Sequence, residues 1–257
     1  MRKVLGLVGG VLLLAGPALA ADLSRPPPYK APPPVLPVFS WTGWYIGGNA
    51  GYGWGSGTNP SISSDDFTFD PGTFPSVSPR GFIGGGQIGY NWQVNPSFVL
   101  GLETDFQGAD IKGSGSNPFT LLNPAGAATG AGTASLSEKL DFFGSARARA
   151  GLAFNNWLLY GSGGLAYGNV KSTIGLVDTA PDAVAGSRSE TRVGWAAGGG
   201  VNYAMTPNWI LGVDFLHYDL GHTTVTGVDP GVVPPTSITA SQKVDGNIVR
   251  GVIDYKF

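Results

Sequence analysis

The chain has 257 residues, with 15 Lys and Arg against 17 Asp and Glu, no cysteine and 42 glycines. A formal charge of −2 leaves no basic footprint for nucleic acid, and the lack of cysteine excludes disulfide bracing, thiol nucleophiles and thiolate metal sites. So many glycines argue against a helical domain, in which each costs about 1 kcal/mol relative to alanine.

The first segment, residues 1–20, has a basic start at Arg2 and Lys3, an apolar run from Val4 to Ala15, and the small residues of Ala18-Leu19-Ala20. This is the layout of a secretory signal peptide cleaved after Ala20. The run is too short for the roughly 20 residues of a spanning helix, and no later stretch reaches about 18 consecutive apolar residues. A membrane-embedded mature chain must therefore cross as strands, whose backbone groups pair within a closed sheet. Residues 21–40 carry Pro26, Pro27, Pro28, Pro32, Pro33, Pro34 and Pro37, which favour polyproline II and read as a semi-rigid periplasmic spacer. Tyr29 and Lys30, between the proline triplets, are the features there that a partner would hold.

From residue 41 to 257, eight stretches alternate large apolar with small or polar side chains, at about 42–54, 80–94, 98–108, 136–154, 157–168, 189–204, 209–221 and 242–257. In the last, Val249, Gly251, Ile253, Tyr255 and Phe257 share one face, and Arg250, Val252, Asp254 and Lys256 share the other. A strand in lipid turns apolar groups to the hydrocarbon and encloses its polar ones. The expectation is an all-β fold: an eight-stranded antiparallel up-and-down transmembrane β-barrel. Asn95-Pro96-Ser97, Asn155-Asn156 and Thr206-Pro207-Asn208 are tight-turn sequences, and 55–79, 109–135, 169–188 and 222–241 read as long polar connections. Short periplasmic turns and long external loops are the rule for such barrels. Trp44, Trp92, Trp157 and Trp209 then fall at one height, as an interfacial girdle at the inner membrane surface.

The stretch FSWTGWYIGGNAGYGWG from Phe39 to Gly55, GGGQIGYNW from Gly84 to Trp92, DFLHYDLG from Asp214 to Gly221, and the terminal DYKF resemble the porin-like outer-membrane surface antigens of Gram-negative bacteria. The resemblance spans roughly residues 39–257. It implies an OmpA-like eight-stranded barrel in the outer membrane, a role in envelope integrity or as a surface antigen, weak pore activity as the alternative, and no enzyme activity. It also implies outer-membrane lipids as surroundings and recognition of the last strand by the barrel-assembly machinery through Tyr255 and Phe257. Val252 stands where that signal commonly has glycine, with Gly251 beside it.

Side-chain parity gathers Glu103, Asp105, Asp141, Arg147, Arg149, Arg192, Asp214, Arg250 and Asp254 in the lumen. Eight strands make an interior just wide enough for its own side chains, so these charges are expected to pair in a structural network that fills the lumen rather than to line an ion path. His217 and His222 stand near the outer mouth beside Asp219. A lipid-modifying enzyme would need such a histidine with an acid and a serine, but His217 has outward parity and no serine lies near it in sequence. Asp65-Asp66 is too small a set of oxygens for a hard cation. The GxGxxG at Gly84–Gly89 is followed by strand alternation rather than a helix, so it is no nucleotide motif. No catalytic residue, metal site or cofactor is expected.

Overall fold

A computed structural model describes residues 39–257 apart from residue 58 and the stretches 65–67, 70–74, 123–126, 179–182 and 230–235. The signal peptide, the proline triplets and the Asp65-Asp66 pair lie outside the described residues. In chain order the strands are β1 (Gly43–Gly55), β2 (Ser61–Ser64), β3 (Thr68–Phe69), β4 (Arg80–Asn95), β5 (Phe98–Leu122), β6 (Ala128–Phe154), β7 (Trp157–Asp178), β8 (Ala183–Ala204), β9 (Trp209–Asp229) and β10 (Thr236–Lys256).

The two shortest strands sit in the first connection, where β2 pairs with β10 and β3 with β5. The other eight form an antiparallel ring in sequence order, closed by β1 on β10 from Tyr45↔Lys256 to Gly55↔Gly246. Closure leaves no edge strand across the lower part of the ring, so the wall there finds its backbone partners inside the sheet, whereas farther out β8 and β9 part between Ala185↔Val228 and Trp195↔Asp219. The turn between β6 and β7 places Asn155 at φ 53°, a left-handed conformation that asparagine tolerates better than most residues.

The sheet is apolar outside and polar within. Phe82, Val193 and Trp44 are 77%, 69% and 58% exposed, whereas Arg250 and Arg147 are 1% and 2% exposed. Water would penalise that arrangement on both counts; hydrocarbon rewards it.

Three of the expected long connections are largely strand. β5 continues to Leu122 and β6 begins at Ala128, and β7 through β10 likewise extend through most of 169–188 and 222–241. Beyond the membrane the outer face meets water, so polar residues there no longer signal a loop. The inner face still alternates, and Leu136, Ile174, Val225 and Ala240 pack together inside this outer extension.

Candidate functional site

The best-defined constellation is a polar belt across the lumen, and cross-strand register builds it. Glu103 of β5 lies opposite Arg147 of β6, Asp105 opposite Ser145, and Asp214 of β9 opposite Arg250 of β10. Each pair shares a face because side chains alternate along a strand with period two.

Arg250 binds Asp214 in a two-pronged fork, Nε donating to Oδ1 at 2.8 Å and Nη2 to Oδ2 at 3.0 Å, and its Nη2 also lies 3.1 Å from Asp105. Arg147 donates through Nη2 to Glu103 at 2.5 Å and to Asp105 at 3.0 Å, through Nε to Ser145, and through Nη1 to Ser162. Arg149 donates through Nη1 to Glu103 at 3.0 Å and to the Tyr45 hydroxyl, which itself donates to Glu103 at 2.7 Å. The Arg149 guanidinium also stacks over the Tyr160 ring at 3.9 Å. Gln87 bridges Asp254 and Asn49, donating to the first at 2.7 Å and accepting from the second at 3.0 Å. Room for these side chains comes from glycines on the same face. A Cβ on Gly89 would overlap the Tyr45 hydroxyl, and one on Gly101 would lie 2.9 Å from Arg149 Cγ.

Seven of the nine expected residues thus meet: Glu103, Asp105, Arg147, Arg149, Asp214, Arg250 and Asp254 are all buried. Asp141 does not join them. β6 bulges between Leu140 and Phe142, which shifts parity by one; Leu140 turns inward, and Asp141 stands half-exposed, 2.6 Å from Lys139. Arg192 keeps its inward parity but stands beyond the belt, about a third exposed and 3.0 Å from Glu190. Tyr45, Gln87, Asn49, Ser145 and Ser162 complete the network; parity places all five on the inner face, and only their lack of charge hid them.

Apolar layers lie on either side of the belt. On the tight-turn side, Trp41 is fully buried among Val99, Ala153, Leu158, Ala204 and Ile210, with Phe39 against it. On the other side, Ile83, Ile111, Leu140, Phe143, Val170, Ala196, Leu216, Leu220, Val244 and Ile248 form a second layer, contributed by every ring strand except β1. Above it a small polar tier contains Glu138, Ser172, Thr223 and Gln242, level with the exposed Lys112 and Lys171 of the outer wall and so outside the hydrocarbon. Gln242 donates to Glu138. Burial, with Asp245 nearby, pushes the Glu138 carboxyl up to about 7.

On the outer wall, Trp44, Tyr90 and Trp92 form a chain of ring contacts at 5.2 and 4.6 Å, Trp157 meets Tyr203 at 4.6 Å, and Trp209, Tyr255 and Phe257 continue the series at 5.2 and 5.3 Å. His217 Nδ1 is 3.0 Å from Asn247 Oδ1, its ring lies 5.5 Å from Trp195, and His222 stands opposite Lys243 in the ladder. Among the described residues no three His, Asp or Glu side chains are grouped to hold a metal ion.

The 31 kDa outer-membrane immunogenic protein of Brucella melitensis is 39% identical over 260 residues, spanning 100% of both chains. The 22 kDa outer membrane protein of Rhizobium leguminosarum bv. viciae is 32% identical over 190 residues, 72% of this chain and 67% of that protein. Among solved structures, the outer membrane protein OprG from Pseudomonas aeruginosa aligns over 84% of this chain and 96% of its own, at 13% identity and a TM-score of 0.45. The profile of the outer membrane protein beta-barrel domain matches residues 12–257. With a closed eight-stranded ring that is greasy outside and ionic within, the chain belongs to that family and resides in the bacterial outer membrane.

Proposed function

We propose that the protein is a sealed, non-catalytic barrel that serves the envelope as a structural and surface-exposed element. The observation that carries this reading is the filled lumen: the Arg147 and Arg250 side chains are 1% and 0% exposed, and an apolar layer covers the belt on each side. A water-filled path would hydrate at least one of these guanidinium groups. Pairing them across the barrel instead ties β5 to β6 and β9 to β10 through side chains as well as backbone, with both guanidinium charges compensated by Glu103, Asp105 and Asp214.

In this reading the tight turns face the periplasm, the Trp44, Trp92, Trp157 and Trp209 girdle marks the inner interface, and Tyr255 and Phe257 present the assembly signal. The outer ends of β5–β10 hold the connecting loops clear of the membrane surface as an exposed face. The name of the Brucella relative, an immunogenic protein, agrees with such exposure. Planar-bilayer recording of pure refolded protein tests the sealed lumen. Conductance that stays at baseline supports it; reproducible steps, however small, would replace it with a low-conductance porin.

A further inference from the structure

Above the apolar band, four adjacent strands carry an outward basic residue at one height. Arg80 lies opposite Lys112, Lys112 opposite Lys139, and Lys139 opposite Lys171. All four point outward, since Ile111, Glu138, Leu140, Val170 and Ser172 beside them are buried in the lumen. At about 3.3 Å per residue and a tilt near 45°, the run from Trp157 to Lys171 rises about 33 Å, against an apolar band about 25 Å tall. The row therefore stands at headgroup height.

Like charges directly opposite one another on neighbouring strands are destabilising. The fold relieves part of this row, since Asp110 lies 2.9 Å from Lys112 and Asp141 lies 2.6 Å from Lys139. Arg80 and Lys171 have no ion pair among the described residues. Around the barrel on β9 and β10 the balance reverses, with Lys243 held between Asp219 at 3.1 Å and Asp245 at 3.6 Å. The cationic excess thus belongs to one side of the molecule.

At its β4–β5 end the row opens into a polar cleft where Arg80 and Lys112 are joined by the hydroxyl-bearing Ser76, Ser78, Ser114 and Ser137. Guanidinium, ammonium and hydroxyl donors around one concavity are what a phosphate oxygen cluster requires. Directly below, the lipid-facing wall has a shallow apolar groove beside Phe82. Its floor is Ala50, Gly84 and Gly108, paired in register across β1, β4 and β5. A Cβ on Gly108 would meet nothing closer than 4.0 Å, so the groove is open space.

We propose that this side of the barrel is a binding site for the phosphorylated glycolipid of the outer leaflet, a lipopolysaccharide-class molecule. Its phosphate sits in the Arg80–Lys112 cleft, and an acyl chain lies along the groove over Gly84 and Gly108. A head-and-tail ligand is the occupant because cationic cleft and apolar groove are contiguous. The site rests on the orientation proposed above, with the tight turns inside.

The experiment is native mass spectrometry of the refolded protein in zwitterionic detergent with purified rough lipopolysaccharide, with heat-dependent mobility as the fold control for each variant. The wild type retains the glycolipid. A variant combining Arg80→Gln, Lys112→Gln and Lys171→Gln loses affinity by about tenfold or more, as expected when charge-assisted hydrogen bonds are removed. Gly108→Trp, which fills the groove, weakens binding without altering any charge. Should a variant fail to fold, the same protein titrated with dephosphorylated glycolipid gives the answer: weak binding supports the site. Equal retention of intact and dephosphorylated glycolipid, or an unaffected triple variant, would overturn it. Binding in detergent does not depend on which end faces outward, so a wrong orientation, read from surface proteolysis of whole cells, is distinguishable from a wrong site.

Discussion

Arg147 concentrates the energetics of the belt in one side chain. Its guanidinium compensates Glu103 and Asp105 while holding Ser145 and Ser162. Truncation leaves two buried carboxylates short of a partner, and breaking such a group by removing one member costs about 3–5 kcal/mol. Arg147→Ala is expected to lower the unfolding free energy of the refolded barrel, read from urea titration, by an amount of that order, while Lys139→Ala, whose pair with Asp141 is half-exposed, changes it by about 0–1 kcal/mol. Glu138 supplies a pH dependence of defined sign. A carboxyl raised from its ordinary value of 4.5 to about 7 in the fold binds more protons folded than unfolded between those pH values, so stability falls as pH rises through that window. Glu138→Gln removes that loss, so unfolding midpoints measured at several pH values show a shallower decline than in the wild type. Much of the belt was legible from parity, because Glu103, Arg147, Asp214 and Arg250 are charged residues in otherwise apolar strands. Asp141 was not, since nothing in the sequence around Leu140 and Phe142 marks the extra residue that flips the face.

At the scale of elements, that bulge fixes which half of β6 faces inward. N-terminal to it Leu136, Glu138 and Leu140 are buried; C-terminal to it Phe143, Ser145, Arg147 and Arg149 are. Deleting Asp141 removes the extra residue, and plain alternation from the inward Phe143 then keeps Phe142 outside, Leu140 inside and Lys139 outside, as in the bulged strand. Such a protein is expected to keep the compact, heat-sensitive band on electrophoresis, whereas inserting one residue after Phe143, which puts Lys139 inside and Leu140 outside, abolishes it; the opposite pair of results would show that the bulge does not set the register. The turn-side layer gives a second case. Trp41 lies just ahead of β1, bonded by its backbone N–H to Gln93 Oε1 at 2.9 Å, and caps the lumen. Trp41→Ala is expected to cost about 3–5 kcal/mol yet leave conductance at baseline, because the second layer still spans the barrel. Strand existence was readable from alternation, but the outer strand ends were not. There both faces carry Ser, Thr and Gly, and inward apolar residues such as Leu136, Ile174, Leu176 and Val225 betray the continuing sheet.

For the molecule as a whole, the governing claim is that the wall is inverted relative to a water-soluble sheet. Composition, parity and the terminal aromatic pointed to this from the sequence, and the closed ring from Tyr45↔Lys256 to Gly55↔Gly246 agrees. What composition could not supply was the layering of the lumen, because inward residues such as Leu216 and Ile248 look the same in a list as lipid-facing ones. The chain lacks cysteine, so single cysteines carrying a fluorophore report their surroundings cleanly. Placed in turn at Val249, Val252, Ile253, Asp254 and Tyr255 of β10, in vesicles of brominated lipid, the label is expected to be quenched at Val249, Ile253 and Tyr255 and protected at Val252 and Asp254. Uniform quenching along the strand, or quenching at Val252 and Asp254 instead, would contradict the account.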